Sequence, residues 1–207
     1  ENFVRAFENK TIIDYVYAVS KGIITTKNEL YIRLWYEVSK NDIFSGNWHK
    51  YSKGGQFRRW YGNSECVILW KNNGFELKSQ PFTLMGPSKY YGLEHFVWSG
   101  ISSYKSAYRF DDRDVYFDDV APAVLFKNVE YKFYFGALCN SNVVSSMLDI
   151  INPTLHFLAK DIKSLPVIID DEKKPTIDEL VKENIALSKT DWDSFETSWD
   201  FEGHPLV

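Results

Sequence analysis

Up to residue 126 the apolar residues of this chain fall in short runs, mostly aromatic or β-branched, cut apart by turn residues; beyond residue 130 they take up helical spacing. That change of period constrains the fold more than any motif does. Strands first and helices last predict an α+β domain, mixed and strand-rich, closed by C-terminal helices, rather than alternating strand–helix units. Tyr31 to Val38 (YIRLWYEV) and Glu65 to Trp70 (ECVILW) read as strands, with further strand-like pieces at 95–99, 106–110, 114–118 and 122–126. Residues 1–9 read as a short helix with Phe3, Val4 and Phe7 near one face. Residues 41–55, which contain Gly46, Gly54 and Gly55, read as a loop, Asn72-Asn73-Gly74 as a turn, and 79–92 as a second loop. Two helices are expected at 130–139 and 141–150, broken near Asn140, then short strands at 155–158 and 165–169. A last helix is expected from Pro175-Thr176 to about Ser188, with Ile177, Leu180, Val181, Ile185 and Leu187 on its mostly one-sided apolar face.

Composition removes several classes. Of 207 residues, 44% are apolar and 25% charged, which excludes a disordered or low-complexity chain. No apolar run approaches the ~18–20 residues a membrane helix needs. Cys66 and Cys139 form no CxxC pair and no disulfide framework, so a reducing cytoplasm is the expected setting. A first residue of Glu1 rather than Met fits an excised or processed piece. The net charge of −4 hides a split: residues 21–110 carry 13 Lys/Arg against six Asp/Glu, and residues 111–207 carry nine against 19. A basic half and an acidic half point to a polyanion meeting one region only.

Catalytic chemistry finds no anchor. The four histidines, at 49, 95, 156 and 204, show no ligand spacing, and no metal site is expected. Asp111-Asp112-Arg113-Asp114 and Asp118-Asp119 read as solvated acidic turns. Neither a nucleophile elbow nor a phosphate loop occurs. Asn152-Pro153-Thr154-Leu155 lacks the second proline and the aromatic that an amino-methyltransferase tetrapeptide needs, and reads as a helix-ending turn. The richest segment is Lys50 to Gly62, KYSKGGQFRRWYG. Its cations, Lys50, Lys53, Arg58 and Arg59, are interleaved with Tyr51, Phe57, Trp60 and Tyr61 around a glycine pair. That pattern suits phosphate contacts with base or sugar stacking. Lys27, Arg33, Lys105 and Arg109 add positive charge in the same half.

Five strings carry a family resemblance. They are Thr25-Thr26-Lys27-Asn28 with Arg33-Leu34-Trp35-Tyr36-Glu37-Val38; Lys53-Gly54-Gly55-Gln56-Phe57-Arg58-Arg59-Trp60-Tyr61-Gly62-Asn63; and Trp98-Ser99 with Ile101-Ser102-Ser103 and Ala107-Tyr108-Arg109. The others are Asn152-Pro153-Thr154-Leu155 leading to Leu165-Pro166-Val167, and the run from Ser188 to Phe201 that contains DWDSFETSWDF. Together they resemble the C-terminal target-recognition region of PglX-type adenine-specific DNA methyltransferases, of phage-exclusion (BREX) and single-chain restriction–modification systems. The resemblance implies a recognition domain similar in plan to that of type I specificity subunits, over 1–170, and a helix with an acidic aromatic tail over 171–207. It implies double-stranded DNA and the catalytic methyltransferase domain of the same parent chain as partners, with no membrane. The family's Asn-Pro-Pro-Tyr tetrapeptide and glycine-rich cofactor motif are missing here. The piece is therefore expected to hold no catalytic residue and no cofactor, S-adenosylmethionine being bound by the parent protein. Lys53, Arg58 and Arg59 would hold phosphates or read guanine edges, Trp60 and Tyr61 would brace the loop or stack, and Lys27, Arg33, Lys50, Lys105 and Arg109 would make further DNA contacts. The tail would dock on the catalytic domain or another component of the system through Trp192, Phe195 and Trp199. The alternative is a protein-interaction module that uses the aromatic surface.

Overall fold

The computed structural model describes residues 6–8, 10–204 and 206. In chain order its elements are β1 (Ala18–Ser20), α1 (Asn28–Tyr31), β2 (Ile32–Leu34), α2 (Lys40–Phe44), β3 (Trp48–Ser52), β4 (Cys66–Leu69), α3 (Lys71–Lys78) and β5 (Glu94–Trp98). There follow β6 (Tyr108–Asp111), β7 (Tyr116–Phe117), β8 (Ala123–Phe126), α4 (Lys132–Asn140), α5 (Asn142–Ile151), α6 (Ala159–Lys163) and α7 (Lys174–Asp193). The α+β class and the late helices are as the sequence predicts.

Among the described residues, eight strands make two sheets. The first is antiparallel, ordered β1-β8-β5-β6. The second is ordered β2-β4-β3-β7, with β7 parallel to β3. Alternation along the strands of the first sheet sorts its two faces. Phe96, Trp98, Tyr108, Phe110, Val124 and Phe126 point toward α4, α5 and α7 and join Phe135, Cys139, Val144, Leu148 and Val181 in the main core. Ala18, Val97, Ala123 and Leu125 point the other way and meet Phe117 of the second sheet. Both faces of β5 are thus covered, which is why EHFVW reads as an almost continuous apolar run. The second sheet has a smaller core of Ile23, Tyr31, Tyr51, Ile68, Trp70 and Leu77.

Helix punctuation follows local chemistry. Ser141 caps α5 by accepting from the Val144 amide at 3.2 Å. Just before it, Asn140 turns inward, and its side-chain amide donates to the Tyr108 carbonyl and accepts from the Tyr108 amide, both at 3.0 Å. That pins the break between α4 and α5 to strand β6. Pro175 sits in the first turn of α7, where its missing N–H costs nothing.

Several expectations need correction. Residues 48–52 are a strand, not part of a loop, because Tyr51 and Ser52 are buried between neighbours while the flanking Lys50 and glycines make the stretch look polar. The strand expected over 31–38 stops at Leu34 and winds into a 3-10 turn at Trp35–Glu37, where the Leu34 amide donates to the Glu37 carboxylate at 2.8 Å. Residues 155–158 and 165–169 make only single bridges, Ile101 with His156 and Thr11 with Pro166. The last helix runs five residues past Ser188, to Asp193. The helix expected at 1–9, with Phe3 and Val4, falls mostly outside the described residues.

Candidate nucleic-acid interface

The basic segment links the two sheets. It leaves the second sheet at the end of β3 and crosses to the edge of the first. There the Trp60 amide donates to the Tyr108 carbonyl at 2.8 Å, and the Phe110 amide donates to the Trp60 carbonyl at 2.9 Å. The Trp60 ring lies parallel to that of Phe110, centroids 6.5 Å apart. Two glycines permit this path. At Gly55 (φ +149°) a Cβ would come within 2.7 Å of the Asn63 amide, which itself donates to the Gln56 carbonyl at 2.8 Å. At Gly62 (φ +116°) a Cβ would come within 2.8 Å of Arg58 and 3.0 Å of Trp192.

The acidic tail lies against this segment. Arg58 donates to Asp191 at 2.9 Å, and its guanidinium sits over the Trp192 ring, 4.8 Å from the centroid. Lys50 lies over Trp199 at 5.3 Å, and Trp199 stacks on Trp35 at 5.2 Å. The two tryptophans are tethered by Nε1–H bonds, Trp35 to the Thr197 carbonyl and Trp199 to that of Ser64, both 2.9 Å. Lys189 reaches over Tyr61 and pairs with Asp193 and Asp200. An open cleft of about 700 Å³ remains between segment and tail, lined among others by Lys53, Gly54, Gly55, Arg58, Trp192 and Phe195. The backbone amides from Gly54 to Arg58 donate to no acceptor among the described residues, so they are free for an incoming anion or water.

Beneath the cleft a polar seam joins the sheets. Ser52 donates to the Asp111 carboxylate, whose other close neighbour is His95 Nε2 at 3.7 Å. Tyr51 donates to Asp118 at 2.8 Å, and Lys53 pairs with the same carboxylate at 3.3 Å. Burial and the Asp118 charge push the Tyr51 phenol well above its ordinary value. Burial also pushes His95 down, against the pull of Asp111. The Asp111 and Asp118 side chains, expected to be solvated, are enclosed members of this seam.

The ten candidate contact residues separate. Lys53 and Arg58 share the cleft. Arg59 lies over Phe57 at 5.5 Å, and Phe57 meets Tyr104 edge-on at 5.0 Å, beside the half-buried Lys105, which places Lys105 near the same segment. Lys50 belongs to the tail contact just described. Trp60 and Tyr61 brace the segment by packing inward. Arg33 is turned back on its own backbone, donating to the Glu29 and Ile32 carbonyls at 2.6 and 2.7 Å. Lys27 does not line the cleft and lies 3.5 Å from Gln80. Arg109 is a correction: it is 2% exposed, near Ser99, and burial pushes its guanidinium down to about 10, so it faces the inter-sheet seam and not a phosphate. Of the tail residues expected to dock, Trp192 is buried against Arg58, Trp199 is half-buried between Trp35 and Lys50, and Phe195 keeps about half its surface exposed. Sequence reasoning missed Asp191 as the partner of Arg58, because 133 residues separate them and neither has a local signal.

No protein-family model matches the chain. It is 32% identical over 195 residues to the adenine-specific methyltransferase BrxX of Escherichia coli O9:H4 (strain HS), covering 90% of this chain. It is also 32% identical over 209 residues to the adenine-specific methyltransferase PglX of Lacticaseibacillus casei (strain Zhang), covering 93%. The chain is a relative of the PglX-type adenine-specific methyltransferases. The resemblance carried by the five strings is borne out. This PglX-type segment spans about a sixth of the length of those relatives, 16% and 17%. Its fold matches part of the Type IIL restriction-modification enzyme MmeI, solved in complex with DNA, with TM-score 0.53 and 12% identity, over 93% of this chain and 30% of that one. The two longest strings of the PglX-type resemblance, KGGQFRRWYGN and DWDSFETSWDF, form the two walls of the cleft. No helix among the described residues is long and apolar enough to cross a membrane.

The residues present do not fit S-adenosylmethionine. Gly54-Gly55 follow a strand, as a cofactor loop would, but lead into the extended bridge at Trp60 and not into a helix whose N-terminus could face a bound nucleoside. Nor is a cluster of three or more His, Cys, Asp or Glu side chains placed to hold a metal among the described residues.

Proposed function

We propose that this chain is the DNA-recognition part of a PglX-type protein that methylates adenine N6 in duplex DNA. The parent's remaining length would supply the catalytic domain and bind S-adenosylmethionine in the cytoplasm, and this piece would hold the duplex while an adenine is flipped into that domain. Residues 1–170 form the recognition domain in this reading, and 171–207 the helix and tail that buttress it. What carries the reading is the placement of the basic segment at the surface, with free backbone amides beside Lys53 and Arg58 in a chain related to adenine-specific methyltransferases. A helix-poor, positively charged loop framed by a rigid sheet edge suits phosphate contacts, and Arg59 with Lys105 extends it.

Fluorescence anisotropy with short random-sequence duplexes across a salt series tests this. The chain should bind with an affinity that falls linearly on a log–log salt plot. A Lys53→Ala/Arg58→Ala double variant should reduce the slope by about one to two, near 0.9 for each phosphate left without its cation. Absence of duplex binding at low salt, even after the separately expressed catalytic portion is added, would overturn it. The rival reading, a protein-interaction module that uses the aromatic surface, draws on the exposed Phe44, Phe75 and Phe82 and is the one favoured if no duplex binds.

A further inference from the structure

Two turns flanking the second sheet, joined through Ile24 and Leu84, form an unusual pair. Gln80-Pro81-Phe82-Thr83 closes by the Thr83 amide donating to the Gln80 carbonyl at 3.4 Å, with Pro81 at the second position and Phe82 at the third, φ +66°. A turn of that pattern calls for Gly or Asn at its third position. A bulky aromatic with positive φ is a genuine outlier. Beside it, Thr25-Thr26-Lys27 makes a γ-turn: the Lys27 amide donates to the Thr25 carbonyl at 2.7 Å, and Thr26, a β-branched residue, has φ +56°. That is the strained hand of the γ-turn.

The two turns are clamped together. Ile24 and Leu84 exchange both backbone hydrogen bonds, at 2.8 and 3.1 Å, and Lys27 Nζ lies 3.5 Å from Gln80 Oε1. The clamp over-determines the backbone, which is how strain persists. The ring it presents is turned to solvent among the described residues: Phe82 is 86% exposed. A costly residue on a costly backbone, turned to solvent next to an exposed lysine, has its use outside the chain.

We propose that Phe82 is a wedge that inserts between adjacent base pairs of the bound duplex, with Lys27 on the flanking phosphate. The inference rests on the DNA reading above. Apolar side chains at rigid turns are the usual means by which proteins unstack and kink a base step, and a cation beside them meets the backbone they widen. A protein partner is the rival occupant, since Leu84, two residues along, is also 60% exposed; the exposed Lys27 beside Gln80 is what favours a polyanion.

The test uses this chain and short random-sequence duplexes containing 2-aminopurine, whose fluorescence rises when a step unstacks. Wild type should raise the fluorescence on binding. Phe82→Gly should abolish the rise and weaken binding about tenfold, with the salt slope unchanged. Phe82→Leu should keep most of the rise, since leucine also wedges. Phe82→Gly should melt no lower than wild type, which excludes misfolding as the cause. Salt-dependent binding of wild type combined with an unaltered rise and affinity in Phe82→Gly would overturn the wedge and leave the DNA reading standing. No duplex binding by wild type, even after the separately expressed catalytic portion is added, would overturn both.

Discussion

The two four-stranded sheets are built from similar residues and used differently. The first sheet is covered on both faces, by the helices on one side and the second sheet on the other, and its rings are almost all buried. The second sheet encloses a small core, and the turns and helices around it leave Phe44, Phe75 and Phe82 largely exposed. Positive backbone angles at residues other than glycine gather there too: Thr26, Asn72, Asn73 and Phe82 belong to its surroundings, and Trp60 and Asn63 to the segment leaving it. Burial stabilises one half, while the other retains strain and exposed rings. The contrast separates the part that holds the fold from the part available to a partner.

The sharpest test of that contrast is a matched pair of truncations. Phe135→Ala, in the main core, should cost about 3–5 kcal/mol by urea denaturation. Phe75→Ala, 70% exposed on α3, should stay within about 0.5 kcal/mol. Equal costs would break the comparison. Next in size is Gly62→Ala. Its strained φ and the crowding by Arg58 and Trp192 should cost about 2 kcal/mol and separate the tail from the basic segment, read as a lower melting temperature and faster proteolysis of the C-terminus.

Much of the first sheet was legible in the sequence, and its neighbour less so. The pieces at 95–99 and 122–126 carry apolar, aromatic and β-branched residues and become β5 and β8 within a residue or two. In the second sheet ECVILW is as plain, and becomes β4. WHKYS does not look like a strand, because only its last two side chains are buried and the residues beyond it are polar or glycine. Asn72-Asn73-Gly74 does announce its turn, since all three adopt left-handed angles that these residue types tolerate best. At the site, the concentration of charge between Lys50 and Arg59 could be read directly. Its partners could not: Lys53 finds Asp118 and Arg58 finds Asp191 only through tertiary folding. Arg109 misleads for a related reason. Alternation with Tyr108 and Phe110 places it on the opposite face of the strand, and sequence cannot say that this face meets another sheet and not water.

Two smaller effects sharpen the comparison. Phe82→Gly should stabilise the chain by about 1 kcal/mol, or about 3 °C in Tm, by relieving the turn. A loss of stability would mean that the exposed ring contributes to folding after all. The smallest is a pH effect of the seam. Burial lowers the His95 pKa below its unfolded value, so the native state binds fewer protons than the unfolded chain. Stability is then full above about pH 6.5 and falls as pH drops through that value. His95→Gln should reduce that fall, measured as the shift in urea midpoint between neutral and mildly acidic buffer. An unchanged profile would place the acid sensitivity elsewhere.

The bridge at Trp60 has a consequence for solubility. Strand β6 is the last of its sheet, and an uncovered last strand offers unpaired amides and carbonyls to any other chain. Trp60 engages the Tyr108 carbonyl and the Phe110 amide, while Asn140 accepts from the Tyr108 amide and donates to the same Tyr108 carbonyl. The segment proposed to present cations to a duplex thus also covers the edge through which one copy of this protein could pair with the next.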